Sequence, residues 1–181
     1  MKKSGICIVV FSVLMIMSCR NTIDIEAEKQ TIIDVINAET EAYMNFDFDK
    51  VAEFYIHDSL NFRLTTGSDD HIFLEGWDEV ENFFREELIE GNPNTPSDTH
   101  IKVAKDNYRI RVYERSAFVL CDEMWTYTTD EKVIEIESRQ VRFMEKLDGE
   151  WKIAFLSFIG TSGYEAEEEL EGLGLEYNSV N

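Results

Sequence analysis

The stretch Arg139-Gln140-Val141-Arg142-Phe143-Met144-Glu145-Lys146-Leu147-Asp148-Gly149-Glu150-Trp151-Lys152-Ile153 carries the main fold signal of this chain. Apolar and polar residues alternate with period two on both sides of Asp148-Gly149. That dipeptide supplies the two positive-φ positions of a tight hairpin turn, so two antiparallel strands are expected. If Leu147 faces Glu150, alternation gives two faces. One gathers Arg139, Val141 and Phe143 beside Ala154, Leu156 and Phe158; the other gathers Ser138, Gln140, Arg142 and Met144 beside Trp151, Ile153, Phe155 and Ser157. Both are largely apolar, which predicts cover on both sides of the sheet.

Working upstream, the connection Thr129–Lys132 sets Thr128 opposite Val133 and Asp122 opposite Arg139. With the Arg139 face taken as concave, Asp122 and Arg139 form one charged pair in an apolar cup with Phe118, Leu120 and Met124. Such a cup is the form expected of a small-molecule site. A tight turn at Glu114-Arg115 would bring Arg109 and Arg111 inward, so a bulge is expected in the preceding strand. Strands are predicted near 99–105, 107–113, 116–128, 133–145 and 150–160. Cys121 lies within this pattern and reads as a buried small hydrophobe.

The first half of the chain has helical period. From Ile25 to Met44, the residues Ile25, Ile32, Ile33, Ile36, Tyr43 and Met44 make a stripe between acidic residues. Asn45-Phe46-Asp47-Phe48-Asp49 breaks it, and Asp49 is placed to cap a short helix bearing Val51, Phe54 and Tyr55. Leu60 to Thr65 reads as a strand. Glu75 to Ile89 carries Trp77, Val80, Phe84 and Leu88 at helical spacing, and Gly91-Asn92-Pro93 stops it. Helices followed by a long antiparallel meander predict an α+β fold, with two to three N-terminal helices against a curved sheet.

This order resembles the nuclear-transport-factor-2-like superfamily, and within it the SnoaL-like and ketosteroid-isomerase-like domains. The resemblance covers residues 26–162. It rests on Asp47-Phe48-Asp49-Lys50-Val51 with Phe54-Tyr55, and on Asp148-Gly149-Glu150-Trp151-Lys152-Ile153. It implies a cone-shaped fold, its antiparallel sheet wrapped around the helices, and a homodimer through the outer sheet face. The catalytic tyrosine and two aspartates of the isomerases fall by count near Glu39, Arg63 and Arg139, so that mechanism does not carry over. Ser157 stands where many relatives have a histidine.

The residues singled out for chemistry are Asp122, Arg139 and His57, the last at the end of the second helix near the pocket mouth. Tyr43, Tyr55, Arg63, Trp77, Phe118, Leu120, Met124, Val141, Phe143, Leu156 and Phe158 are the expected ligand contacts. His71 and His100 read as loop and strand-start residues. No Gly-rich phosphate loop, Ser-His-Asp order or metal-ligand cluster occurs, so neither a cofactor nor a metal is expected.

At the N-terminus, Met1-Lys2-Lys3 precedes the apolar run Ile6–Met17 and then Ser18-Cys19. This has the three parts of a secretory signal. Twelve residues make a helix of about 18 Å, too short for a hydrocarbon core of roughly 30 Å. Ile16-Met17-Ser18-Cys19 resembles the bacterial lipobox. Residues 1–18 are therefore expected to be removed, Cys19 lipidated, 19–25 a tether, 26–162 the domain and 163–181 an acidic flexible tail. Arg20 after the cysteine is unlike an inner-membrane retention signal and points to the outer membrane in a Gram-negative cell.

Without Lys2 and Lys3 the chain keeps 15 basic residues against 37 acidic ones, a net charge of −22. That charge disfavours nucleic acid and anionic headgroups, leaving the acyl chains to hold the membrane. Two functions stand open: a non-catalytic domain binding a small apolar ligand or a partner protein, and an isomerase, cyclase or hydrolase acting on a small hydrophobic substrate.

Overall fold

The computed structural model describes residues 23–66, 71–90, 100–130 and 132–160. The signal, Cys19, the stop at Gly91-Asn92-Pro93 and the acidic tail lie outside these residues. The elements are α1 (Ile25–Met44), α2 (Phe48–Glu53), β1 (Phe62–Thr66), β2 (His71–Glu75), α3 (Trp77–Arg85, continued by a π-helical turn, Glu86–Glu90), β3 (His100–Val112), β4 (Ser116–Thr128), β5 (Val133–Leu147) and β6 (Glu150–Gly160). One six-stranded sheet has the order β2-β1-β6-β5-β4-β3. Among these described strands only the β1–β6 pairing is parallel. This is the expected α+β cone, with the helices inside the curve of the sheet.

Local chemistry accounts for the boundaries. The Asp24 carboxylate accepts from the Ala27 amide at 3.1 Å and starts α1. The cap of α2 is Asp47 rather than Asp49, its side chain accepting from the Lys50 amide at 3.0 Å. Asp148 and Gly149 take φ of 51° and 91°, which makes the final hairpin tight. β2 was not expected from the sequence, which put His71 in a loop.

The β4–β5 register is as read: Thr128 pairs Val133 and Asp122 pairs Arg139. The strand expected as two pieces is the single β3, bulged between Asp106 and Arg109, with Asn107 at a φ of 51°. A second bulge, in the β5–β6 pair, was not foreseen. Met144 pairs Ile153 but Phe143 pairs Phe155, leaving Ala154 as the extra residue. The bulge lets Trp151 and Ile153, then Leu156 and Phe158, face the helices in succession. They pack with Ile32 and Ile36 of α1 and Val80, Phe83 and Phe84 of α3.

The concave face is therefore the one bearing Ser138, Gln140, Arg142 and Met144, all buried. This corrects the face assignment. Asp122, Arg139, Phe118, Leu120, Met124, Val141 and Phe143 lie on the outer face, as do the exposed Arg109 and Arg111.

Candidate functional site

α1 buries one carboxylate against the sheet within the cup. Glu39 follows Ile32 and Ile36 down the buried stripe and is itself 4% exposed. Its Oε1 accepts from the Tyr55 hydroxyl at 2.8 Å, and Arg142 Nη1 donates to its Oε2 at 3.1 Å. On β5, two residues along the same face, Gln140 Oε1 accepts from Arg142 Nη2 at 2.8 Å and Nε at 3.1 Å. Gln140 Nε2 then donates to Glu123 Oε1 at 2.8 Å, and Ser138 Oγ donates to Glu123 Oε2 at 3.0 Å. Lys105 on β3 closes the circuit, 2.8 Å from Glu123 Oε1 and within hydrogen-bond reach of Thr40 on α1. Strand pairing sets these meetings, since Glu123 is the register partner of both Lys105 and Ser138.

The circuit is buried and internally paired. Burial pushes the Glu39 carboxyl up, but the charges of Arg142 and Lys105 and the bonds from Tyr55 and Arg142 outweigh it and hold the group below its usual range. Burial works against the Arg142 cation too, and Glu39 overrides it and holds the guanidinium protonated. Tyr55 is driven well above its ordinary range by burial and by the Glu39 charge. Glu39 is thus a fixed anion and a poor base.

Arg63, on β1, sits differently. It is 3% exposed, and its Nε is buried with no hydrogen-bond partner. Three aromatic rings surround the guanidinium: Phe83 at 4.5 Å, Phe158 at 4.8 Å and Phe84 at 5.3 Å from ring centroid to Cζ. Beside it Tyr43 donates to Glu87 Oε2 at 3.3 Å. Burial raises the Glu87 carboxyl above its usual range against the opposing charge of Arg63, and burial and Glu87 raise the Tyr43 phenol. Tyr43 also meets Trp125 edge-on, with centroids 6.5 Å apart.

Between these groups lies a cavity of about 20 Å³, lined by ten residues: Glu39, Thr40, Tyr43, Arg63, Lys105, Glu123, Trp125, Gln140, Arg142 and Phe158. It has room for roughly one or two waters, so side chains fill most of the cup. Thr40, Tyr43 and Trp125 are half-buried and mark the side that opens to solvent.

Of the residues expected from sequence, Tyr43, Arg63 and Phe158 line this cavity. Leu156 and Trp77 belong to the core, and Tyr55 braces Glu39 from behind. Asp122 and Arg139 do pair, at 2.7 Å, but on the outer face with side chains 30% and 45% exposed. They line a surface groove of about 330 Å³ with Asn107, which donates to Asp122 Oδ2 at 3.1 Å. His57 is exposed, stacks on Trp77 with ring centroids 3.9 Å apart, and places Nε2 2.8 Å from the Ala52 carbonyl. It does not enter the cup.

Sequence reasoning missed Glu39, Thr40, Lys105, Glu123, Gln140 and Arg142 as lining residues. A signal was available: Glu39 interrupts the apolar stripe of α1, and Gln140 and Arg142 share a strand face with Met144. Counting from the isomerase pattern did reach two positions that line the cup, Glu39 and Arg63, with different residue types in them.

Comparison with known proteins agrees with this geometry. The family model for the SnoaL-like domain matches residues 32–159. A nuclear transport factor 2 (NTF2-like) superfamily protein from Salmonella enterica is 17% identical, with a TM-score of 0.59 over 77% of this chain and 95% of that one. An NTF-2-like protein of unknown function from Shewanella oneidensis is 16% identical, with a TM-score of 0.54 over 72% and 98%. A type 2 hexachlorocyclohexane dehydrochlorinase is 15% identical, with a TM-score of 0.58 over 77% and 88%. No match is found among curated proteins.

Proposed function

The chain belongs to the SnoaL-like domain family, and on that footing we propose that it is a lipid-anchored envelope protein whose cup holds a small, largely apolar ligand without turning it over. The buried circuit through Glu39, Arg142, Gln140, Glu123 and Lys105 carries this reading. A general base must be free to take a proton. Glu39 is bound to two donors, and Glu123 to three groups. Among the ten lining residues there is no histidine.

The test uses the acyl-free protein, residues 20–181, incubated in D2O with a saturating apolar ligand found by native mass spectrometry. Binding without deuterium exchange or product formation supports the reading, and turnover overturns it. One observation favours a second reading, an isomerase, cyclase or hydrolase: the raised Glu87 carboxyl bonded to Tyr43 beside the cup. For an enzyme of that kind, Glu87→Gln abolishes exchange and leaves ligand binding intact.

Two further parts of the proposal concern placement. The anchor is read from Ile16-Met17-Ser18-Cys19. Among the described residues no helix is long and apolar enough to cross a membrane, so the proposed attachment is the lipid on Cys19, in the outer membrane of a Gram-negative cell. Palmitate labelling lost in Cys19→Ala supports it; unchanged membrane fractionation of that variant overturns it. A second copy is proposed to cover the outer sheet face, where Phe118 is 46% exposed beside the half-buried Leu120, Val141 and Phe143. A monomer in light scattering overturns that.

A further inference from the structure

The charges lining the cavity do not balance. Glu39 pairs with Arg142 and Glu123 with Lys105, which leaves Arg63. Among the described residues no carboxylate forms an ion pair with Arg63. Glu87 lies close enough for its charge to be felt, yet its hydrogen bond goes to Tyr43. The three phenylalanine rings can offset the guanidinium's charge but accept no ordinary N–H bond, and Nε is an orphan. A buried cation with unmet donors is costly unless something supplies acceptors.

We propose, building on the ligand-cup reading above, that the cup recognises the carboxylate of a small organic acid through Arg63, with the acid's apolar tail leaving past Tyr43 and Trp125. A carboxylate is planar and matches the fork of a guanidinium with two parallel bonds. One negative charge answers one surplus cation. A phosphate dianion brings a second charge that no remaining cation among the lining residues meets. The half-buried aromatic side of the cavity, where Trp125 also stacks with Tyr127, suits a hydrocarbon tail. The net −22 charge of the mature chain repels anions at long range, and physiological salt screens that repulsion beyond about 8 Å.

Calorimetric titration of the acyl-free protein with hexanoate and hexan-1-ol at 150 mM salt separates head from tail. Hexanoate binding about tenfold or more tighter than hexan-1-ol is expected from charge-assisted bonds. Arg63→Met should erase that preference and keep hexan-1-ol binding, and Arg63→Lys should restore part of it. Retained circular dichroism and hexan-1-ol binding certify that the Met variant is folded; if it is not, the Lys variant must weaken hexanoate selectively, or the proposal fails. Equal affinity for acid and alcohol in the wild type overturns the carboxylate site and leaves the ligand cup standing. Binding of neither overturns both. A preference that survives Arg63→Met places the anion elsewhere and also overturns the proposal.

Discussion

Replacing Glu39 with Gln tests whether the circuit in the cup is as dry as its geometry implies. The Glu39 and Arg142 side chains are 5% and 1% exposed and 3.1 Å apart. Two unit charges at that distance attract by roughly 5 kcal/mol at an effective dielectric constant of about 20. Desolvating each ion costs several kcal/mol, so the intact pair contributes close to zero net. Removing one charge is different, because Arg142 stays buried and loses its counter-ion. That loss is expected to cost about 3–5 kcal/mol. For a domain of this size it corresponds to a fall in Tm of about 6–20 °C.

Urea denaturation followed by far-UV circular dichroism measures it, with the slope checked for constancy. The double replacement Glu39→Leu with Arg142→Met removes both charges and should be far milder than Glu39→Gln alone. The acid limb adds an independent check. Because the folded Glu39 carboxyl is held below its unfolded value, its contribution is present above the unfolded carboxylate value and disappears as pH falls through the folded one. Glu39→Gln should therefore flatten that limb. A loss under about 1 kcal/mol for Glu39→Gln would mean that water reaches the pair, and the reasoning about a locked circuit would be refuted.

Three other outcomes are expected. Glu28 accepts from Lys146 Nζ at 2.5 Å and from Trp151 Nε1 at 2.7 Å, tying α1 to the last hairpin, and the Lys146 bond leads in holding its carboxyl down. Glu28→Gln should cost about 1 kcal/mol at neutral pH, allowing for solvent screening, with the two urea curves converging as pH falls through the folded Glu28 value. Burial pushes the Cys121 thiol up to about 11, so a disulfide reagent at pH 8 should label it only after urea unfolding; rapid labelling of native protein contradicts that. Asp122→Asn, on the outer face, should leave ligand affinity in the cup unchanged in calorimetry; a loss of affinity would return Asp122 to the site.

Much of the fold was legible because its signals are local. Alternation gave β4, β5 and β6 nearly to the residue, Asp148-Gly149 gave the hairpin, and the stripe from Ile25 to Met44 gave α1. The β4–β5 register followed from one short connection and held over the whole pair. The second bulge was not legible, since Ala154 looks like any small residue in a strand. Nothing in Phe155-Leu156-Ser157-Phe158 says that the count has slipped by one. A period-two reading carried straight through the bulge puts Leu156 and Phe158 on the wrong side of Trp151 and Ile153.

That slip explains why the pair chosen as catalytic proved to be an outer-face pair. Two sheet faces were on offer, both apolar and both bearing charge, so hydrophobicity could not choose between them. Charge complementarity could have. Glu39 is the carboxylate that α1 buries against the middle of the sheet, and a buried carboxylate needs a cation. On the Asp122 face the cation Arg139 is already answered by its cross-strand neighbour, and that face also carries Arg109 and Arg111 from β3 with no carboxylate on α1 left for them. On the other face Arg142 has no carboxylate opposite it on β4 or β6, where Val119 and Leu156 are its register partners. Only Glu39, from the helix, completes it. The face that a helix covers is the one whose charges need that helix, and by the same logic Arg63, which no element of the fold completes, is where a ligand is needed.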